Sequence, residues 1–204
     1  MIIPYIKIRR VLYLLTNAQI SSNLKKNLYN LKTKKMSEKL LNKIEFIVPY
    51  NYIHDSIIDD YVKKLKELNI HCNDDFTSEN FKKATNKLIP GVIYEVNLIS
   101  VPPKSKGQDC IDYLKKETDT LLFGGQGLSL VLNVVKEKLP KNTCIISFDE
   151  KDTLFKDSDG DHLVPFAEIN SSGVENFICL DIFEKEFCDS YYLLYFKKVS
   201  KEIK

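Results

Sequence analysis

Apolar residues recur along the chain in two different periods, one typical of strands and one typical of helices. Residues 44–48 are a short apolar run that ends at Pro49, which indicates a buried strand. In the next segment Ser56 and Asp59 form an S-x-x-D helix start, and apolar residues then repeat at helical spacing. The pattern therefore predicts a helix over residues 56–68.

The following segment continues this alternation of helix and strand. A second helix is predicted over residues 77–88, since Thr77 can cap it and a Pro-Gly pair follows it. Residues 92–99 alternate apolar and polar side chains, which predicts a strand with one solvated face. Residues 101–107 contain two prolines and several polar residues, and we expect an exposed loop there.

The second half of the chain predicts two further helices and then strands alone. The helices are expected at 108–116 and 126–139, and the strands at 121–123, 144–148, 163–169, 177–183 and 191–196. Alternating elements followed by strands predict an α+β fold. We expect one mixed-sheet domain at residues 37–204, α/β-like in its first half, with a C-terminal antiparallel meander.

The charge of the chain is divided between its two ends. Its 30 basic and 28 acidic side chains give a net charge of +2. Residues 1–36 hold eight bases and no acid, so this segment carries +8 and residues 37–204 carry −6. Residues 149–189 alone hold twelve carboxylates against three lysines. A body of this sign repels phosphate, so nucleic-acid binding is expected only through residues 1–36.

Residues 1–36 are interpreted as a basic N-terminal extension that is loosely attached or not native. Met36 is the only methionine besides Met1, and the composition changes after it, so a translation start at Met36 would exclude the extension. Its composition also fits an organellar presequence, or an arm that binds nucleic acid or anionic lipid. Its apolar centre is too short for a good secretory signal.

One candidate site is the glycine-rich turn at residues 124–127, between a predicted strand and a predicted helix. Glycines at such a junction let backbone amides approach an anion, and the helix N-terminus adds about half a positive charge. An acidic pair follows about 22 residues after Gly127, roughly where a dinucleotide site holds a ribose hydroxyl. Leu130 stands where that motif has its third glycine, and a tight turn selects glycines for steric reasons too. The residues of this candidate site are Gly124, Gly125, Gln126, Gly127, Asp149 and Glu150.

A second candidate is an acidic surface that binds a partner. Its residues are Asp157, Asp159, Asp161, Glu184, Glu186 and Asp189. Residues 157–161 begin with the spacing of a calcium loop, but His162 replaces the glycine at its sixth position and Pro165 follows. The sequence therefore predicts a solvated hairpin loop and no EF-hand.

Cysteine and histidine spacing indicates no metal site and no disulfide framework. The five cysteines include no C-x-x-C pair, and the three histidines are scattered. Five cysteines in an odd, sparse pattern fit a reducing compartment, so a cytoplasmic location is expected. No apolar run approaches the roughly 20 residues of a membrane span. No cofactor and no catalytic residue are predicted.

The leading hypothesis is a protein-binding domain whose acidic surface contacts a protein with a basic surface. Two alternatives stay open. One is a phosphate- or nucleotide-binding enzyme that uses the turn at residues 124–127, and the other is nucleic-acid attachment through residues 1–36. The sequence indicates no oligomeric state.

Overall fold

The computed structural model describes residues 41–116, 119–171, 175–188 and 190–199. The predicted extension at residues 1–36 and its boundary with the domain lie outside the described residues, as does Asp189. The described residues form a mixed β-sheet of eight strands and three α-helices. This confirms the predicted α+β class.

The elements follow one another in the order that the hydrophobic pattern predicts, with a few exceptions described below. The strands are β1 (Leu41–Ile47), β2 (His71–Cys72), β3 (Ile93–Ser100), β4 (Thr143–Ser147), β5 (Phe155–Lys156), β6 (His162–Ile169), β7 (Glu175–Ile182) and β8 (Tyr191–Lys198). The helices are α1 (Ile57–Glu67), α2 (Gly107–Lys115) and α3 (Gly124–Val134), with 3₁₀ turns at Lys136–Lys138 and Lys151–Thr153.

The sheet has the strand order β1-β3-β8-β4-β6-β7-β2, and β5 pairs with β6 beside this path. The pairs β1/β3, β3/β8, β4/β6 and β6/β7 are antiparallel, whereas β8/β4 and β7/β2 are parallel. β1 and β4 therefore finish at the end of the sheet where β6 begins. We call it the Asp149 end, because Asp149 lies there, two residues after the last residue of β4.

Both faces of the sheet are covered by helices. On one face, α1 and α3 pack against a large apolar cluster that includes Phe46, Tyr94 and Phe196. On the other face, α2 packs against a smaller cluster that includes Phe148 and Phe183. Helix α1 fits this arrangement because its buried residues recur at helical spacing: Ile57, Ile58, Tyr61 and Leu65.

Strand β8 does not continue the antiparallel meander that the sequence predicts. β6 and β7 are antiparallel neighbours as expected, but β8 leaves them and lies between β3 and β4. Residues 193–196 of β8 are consecutive buried apolar side chains, so they face both sides of the sheet. A strand that is apolar on both faces is most stable in the middle of a sheet.

The prediction of a helix over residues 77–88 is wrong. This segment consists of turns and bends, although Phe81 and Leu88 are buried as an inner face would be. Its backbone and side-chain groups bind distant partners instead. The Thr85 N–H donates to Asp149 Oδ2 at 3.0 Å, and Asn86 Nδ2 donates to the Leu122 carbonyl at 3.0 Å. Polar side chains that find such partners compete with helix formation.

Two other predicted elements are shorter than expected. The strand expected at residues 121–123 is a single bridge between Leu121 and Phe196. Helix α3 ends at Val134, although the sequence predicts a helix up to residue 139, and a 3₁₀ turn follows it.

Candidate functional site

The glycine turn at residues 124–127 is the first turn of α3, at the Asp149 end of the sheet, and it follows shortly after the Leu121 bridge. Gly124 has φ +47°, a backbone conformation that side chains rarely adopt, so a glycine is favoured there. The Gly124 N–H donates to the Phe148 carbonyl at 3.2 Å, and Ser147 Oγ donates to the Gly124 carbonyl at 2.7 Å. The turn is thus fastened to the end of β4.

Asp149 packs directly against this turn. Its side chain lies so near that a Cβ on Gly124 would be 3.2 Å from Asp149 Cβ. Asp149 is 3% exposed, and its carboxylate accepts hydrogen bonds from the backbone N–H groups of Thr85 and Glu150 at 3.0 and 2.8 Å. Burial raises the pKa of Asp149, although these hydrogen bonds oppose the shift. The carboxyl therefore holds the loop at residues 77–88 against α3.

Apolar side chains cover the rest of the turn. A Cβ on Gly125 would lie 3.0 Å from Ile58 Cδ1 and 3.1 Å from Phe76 Cε2, and one on Gly127 would lie 2.8 Å from Phe123 Cβ. Residues 124–132 are all buried. The glycines therefore allow close packing with neighbouring side chains, and they line no open cleft.

The polar groups of the turn are also used within the protein. Buried Gln126 donates through Nε2 to the Phe81 carbonyl at 2.6 Å. The Gly127 N–H donates to the Phe123 carbonyl at 2.9 Å. The Glu150 carboxylate forms a 2.8 Å ion pair with Lys115 of α2. The structure thus brings the predicted ligand residues together, but their contacts are with other residues of the chain.

The predicted hairpin loop is confirmed, and it is well ordered by its own hydrogen bonds. β5 pairs with β6, and Asp157 Oδ1 accepts the N–H groups of Asp159 and Asp161 at 3.0 and 2.9 Å. The Asp157 N–H donates to the Asp161 carbonyl at 3.1 Å. No lysine or arginine of the described residues lies within 4 Å of these three carboxylates.

Glu184 lies beside the hairpin because β7 ends next to the start of β6. His162 Nδ1 is 2.7 Å and Lys151 Nζ is 3.0 Å from Glu184 Oε1. Burial opposes ionisation of Glu184, but hydrogen bonds from Lys151 and His162 outweigh it and lower the pKa. Glu186 is exposed in the following loop. We call the carboxylates of Asp157, Asp159, Asp161, Glu184 and Glu186 the acidic tip; Asp157 and Asp161 are half-buried, and the other three are exposed.

A groove of about 480 Å³ runs beside the acidic tip. One wall carries Lys82 and Lys83, and Lys156 and Asp152 also line it. The sequence pattern gave no signal for this groove, because the lysines belong to a segment that predicted a helix. Its mixed charges fit neither a purely anionic nor a purely cationic ligand.

The remaining titratable groups of the described residues form no recognisable catalytic set. The Tyr52 hydroxyl is 2.9 Å from His54 Nδ1, and burial lowers the pKa of His54. Within the described ranges, no group of three or more His, Cys, Asp or Glu side chains is placed to hold a metal ion. In the same ranges, no helix is both long enough and apolar enough to cross a bilayer.

Comparison with models of protein families, with curated proteins and with solved structures finds no match to this chain.

Proposed function

We propose that this protein is a protein-binding module whose acidic tip contacts a basic surface of its partner. The observation that carries the proposal is the hairpin at residues 157–161. Asp157 uses one carboxylate oxygen to fix the backbone of the loop, so Asp159 and Asp161 project from a defined turn. No lysine or arginine of the described residues forms an ion pair with them.

A set of carboxylates that is held in place and forms no ion pair is suited to electrostatic recognition. The loop is already ordered, so little conformational entropy has to be lost when a partner binds. Neighbouring like charges create a negative potential that accelerates encounter with a basic surface. Glu184 is different, because Lys151 and His162 already pair with it. We therefore assign the main contribution to Asp159, Asp161 and Glu186.

The two alternatives have less support. The N–H groups of Gly124 and Gly127 already donate to carbonyl groups of the protein, so the turn offers them to no phosphate. Attachment to nucleic acid through residues 1–36 is supported only by the charge of a segment outside the described residues. A cytoplasmic setting belongs to the proposal, and it is supported by five cysteines that form no disulfide.

The test measures binding of a fluorescent Lys/Arg-rich peptide to the full chain by fluorescence anisotropy. The variant Asp159→Lys/Asp161→Lys reverses two charges of the acidic tip. Glu67→Lys/Glu137→Lys makes the same change in net charge at exposed positions outside the tip. We expect the tip variant to weaken binding about tenfold at low salt, and the matched control to weaken it far less.

High salt should reduce the difference between the two variants, because screening weakens exposed charge pairs. Equal weakening by both variants would show that only net charge matters, and it would contradict a specific role of the tip. Absence of peptide binding by the unmodified chain would contradict the proposal as a whole.

A further inference from the structure

Exposed apolar side chains are concentrated at one corner of the protein. Tyr50 is 86% exposed, Ile53 63%, Ile47 53% and Ile89 49%. These are four of the seven large apolar residues that are exposed in the described ranges. We call these four residues the apolar corner.

The corner is formed by two loops that run side by side. The Val48 N–H donates to the Val92 carbonyl at 3.0 Å, and the Gly91 N–H donates back to the Val48 carbonyl at 2.9 Å. The Tyr50 ring lies over Gly91, where an added Cβ would be 2.8 Å from Cε1. These contacts bring the segment around Val48 and Tyr50 beside the loop that carries Ile89, and exposed apolar side chains grouped in this way mark interaction surfaces.

The apolar corner and the acidic tip share the Asp149 end of the sheet. β1 finishes at the corner, and β6 begins at the tip. Strands β3, β8 and β4 separate β1 from β6. Four inter-strand steps of about 4.8 Å place the two features roughly 19 Å apart.

We propose that the apolar corner and the acidic tip together bind one partner segment, a basic amphipathic helix of a protein. This inference rests on the proposed function of the acidic tip and names the class of partner. A helix of about 13 residues spans the distance at about 1.5 Å per residue. Its apolar side chains would cover Tyr50 and Ile53, and its lysines or arginines would face Asp159 and Asp161.

The charge at this end of the sheet favours this occupant over two others. An anionic membrane that met the apolar corner would also approach the acidic tip and be repelled by it. A second copy that docked corner to corner would leave the acidic tips of both copies without a basic partner. A basic amphipathic helix satisfies both features at once.

The experiment compares two labelled peptides of about 18 residues, with the full chain as the receptor. One has leucines at positions i, i+3, i+4 and i+7 and lysines elsewhere, and the other is a scrambled version with the same composition. We expect the unmodified chain to bind the amphipathic peptide at least tenfold more tightly. Tyr50→Ser/Ile53→Ser should abolish this preference and leave binding of the scrambled peptide unchanged.

Leu68→Ser/Val134→Ser is the matched control, because it removes two exposed apolar side chains at the C-terminal ends of α1 and α3. It should keep the tenfold preference. Circular dichroism of both variants checks that they are folded. The changed side chains are exposed, so both variants should match the unmodified chain.

The outcomes separate this inference from the proposed function. Equal binding of both peptides by the unmodified chain, with loss of both in Asp159→Lys/Asp161→Lys, overturns the inference and leaves the acidic tip supported. If the preference for the amphipathic peptide is lost in Tyr50→Ser/Ile53→Ser but kept in Asp159→Lys/Asp161→Lys, both proposals are overturned. Tyr50-dependent sedimentation with phosphatidylserine vesicles, or Tyr50-dependent dimers in analytical ultracentrifugation, also overturns the inference, since another occupant then covers the corner.

Discussion

The glycine turn is closed by neighbouring side chains, and the substitution Gly127→Ala tests this packing directly. Gly127 lies inside α3, where alanine is the better helix former by about 0.5–1 kcal/mol. If the space around residue 127 were open, as a ligand cleft requires, Gly127→Ala would therefore stabilise the protein. The structure predicts the opposite sign.

The magnitude follows from two contacts. A methyl group at residue 127 would lie 2.8 Å from Phe123 Cβ and 2.9 Å from Phe196 Cε2. Phe196 is fully buried and cannot move aside, and the position of Phe123 Cβ is set by its backbone. Extra volume in a packed core costs typically about 1–3 kcal/mol. After subtraction of the gain in helix propensity, we expect a net loss of up to about 2.5 kcal/mol in the free energy of unfolding.

The assay is urea unfolding followed by far-UV circular dichroism, with the m-value as a check on two-state behaviour. Phe196→Leu provides the second background, because a smaller side chain there makes room for the added methyl group. Gly127→Ala should cost less in that background, as expected for residues in contact. A stabilising effect of Gly127→Ala, or the same cost in both backgrounds, would refute the packing argument.

Three further predictions concern protons, ligands and thiols. Burial raises the pKa of Asp149, so the stability that the protonated carboxyl contributes is complete below the unfolded pKa of about 3.9 and is lost as pH rises through the folded pKa. Asp149→Asn should therefore flatten this part of the curve of unfolding free energy against pH, measured by urea unfolding. An unchanged curve would contradict a raised pKa of Asp149. ATP, NAD and inorganic phosphate should leave the Tm of the full chain unchanged, because side chains cover the glycine turn. A rise in Tm that Gly124→Ala removes would show that the turn binds the ligand. Cys188 is exposed, whereas Cys110 is fully buried, and burial raises its pKa to about 12. Labelling with a thiol reagent, followed by mass spectrometry, should find Cys188 modified before Cys110. Similar labelling rates of the two thiols would contradict the burial of Cys110.

Local patterns in the sequence predict most of the elements, because periodicity and capping act over a few residues. The repeat of Ile58, Tyr61 and Leu65 defines α1, and its bounds agree with the structure within a residue or two. The prediction of a helix at residues 77–88 is wrong for the opposite reason. Their conformation depends on Asp149 and Leu122, which lie far away in the chain, and no local pattern reports such bonds.

The candidate sites show the same division between local and long-range information. The hairpin at residues 157–161 is predictable, because turn residues determine it. The position of Glu184 beside it depends on the pairing of β6 with β7, and the apolar corner depends on the pairing of two loops. The closed state of the glycine turn depends on Phe76, which belongs to a distant loop. Glycine spacing alone cannot distinguish a closed turn from an open one.

The position of β8 determines when the sheet can be completed during synthesis. β8 is translated after all the other strands, yet it joins β3 to β4 in the middle of the sheet. A nascent chain that lacks residues 191–198 holds two incomplete sheets, each with an open inner edge that can pair with other chains. Chaperone protection of the emerging chain should therefore matter until β8 has left the ribosome, and a premature stop before Tyr191 should cause aggregation rather than a smaller folded domain.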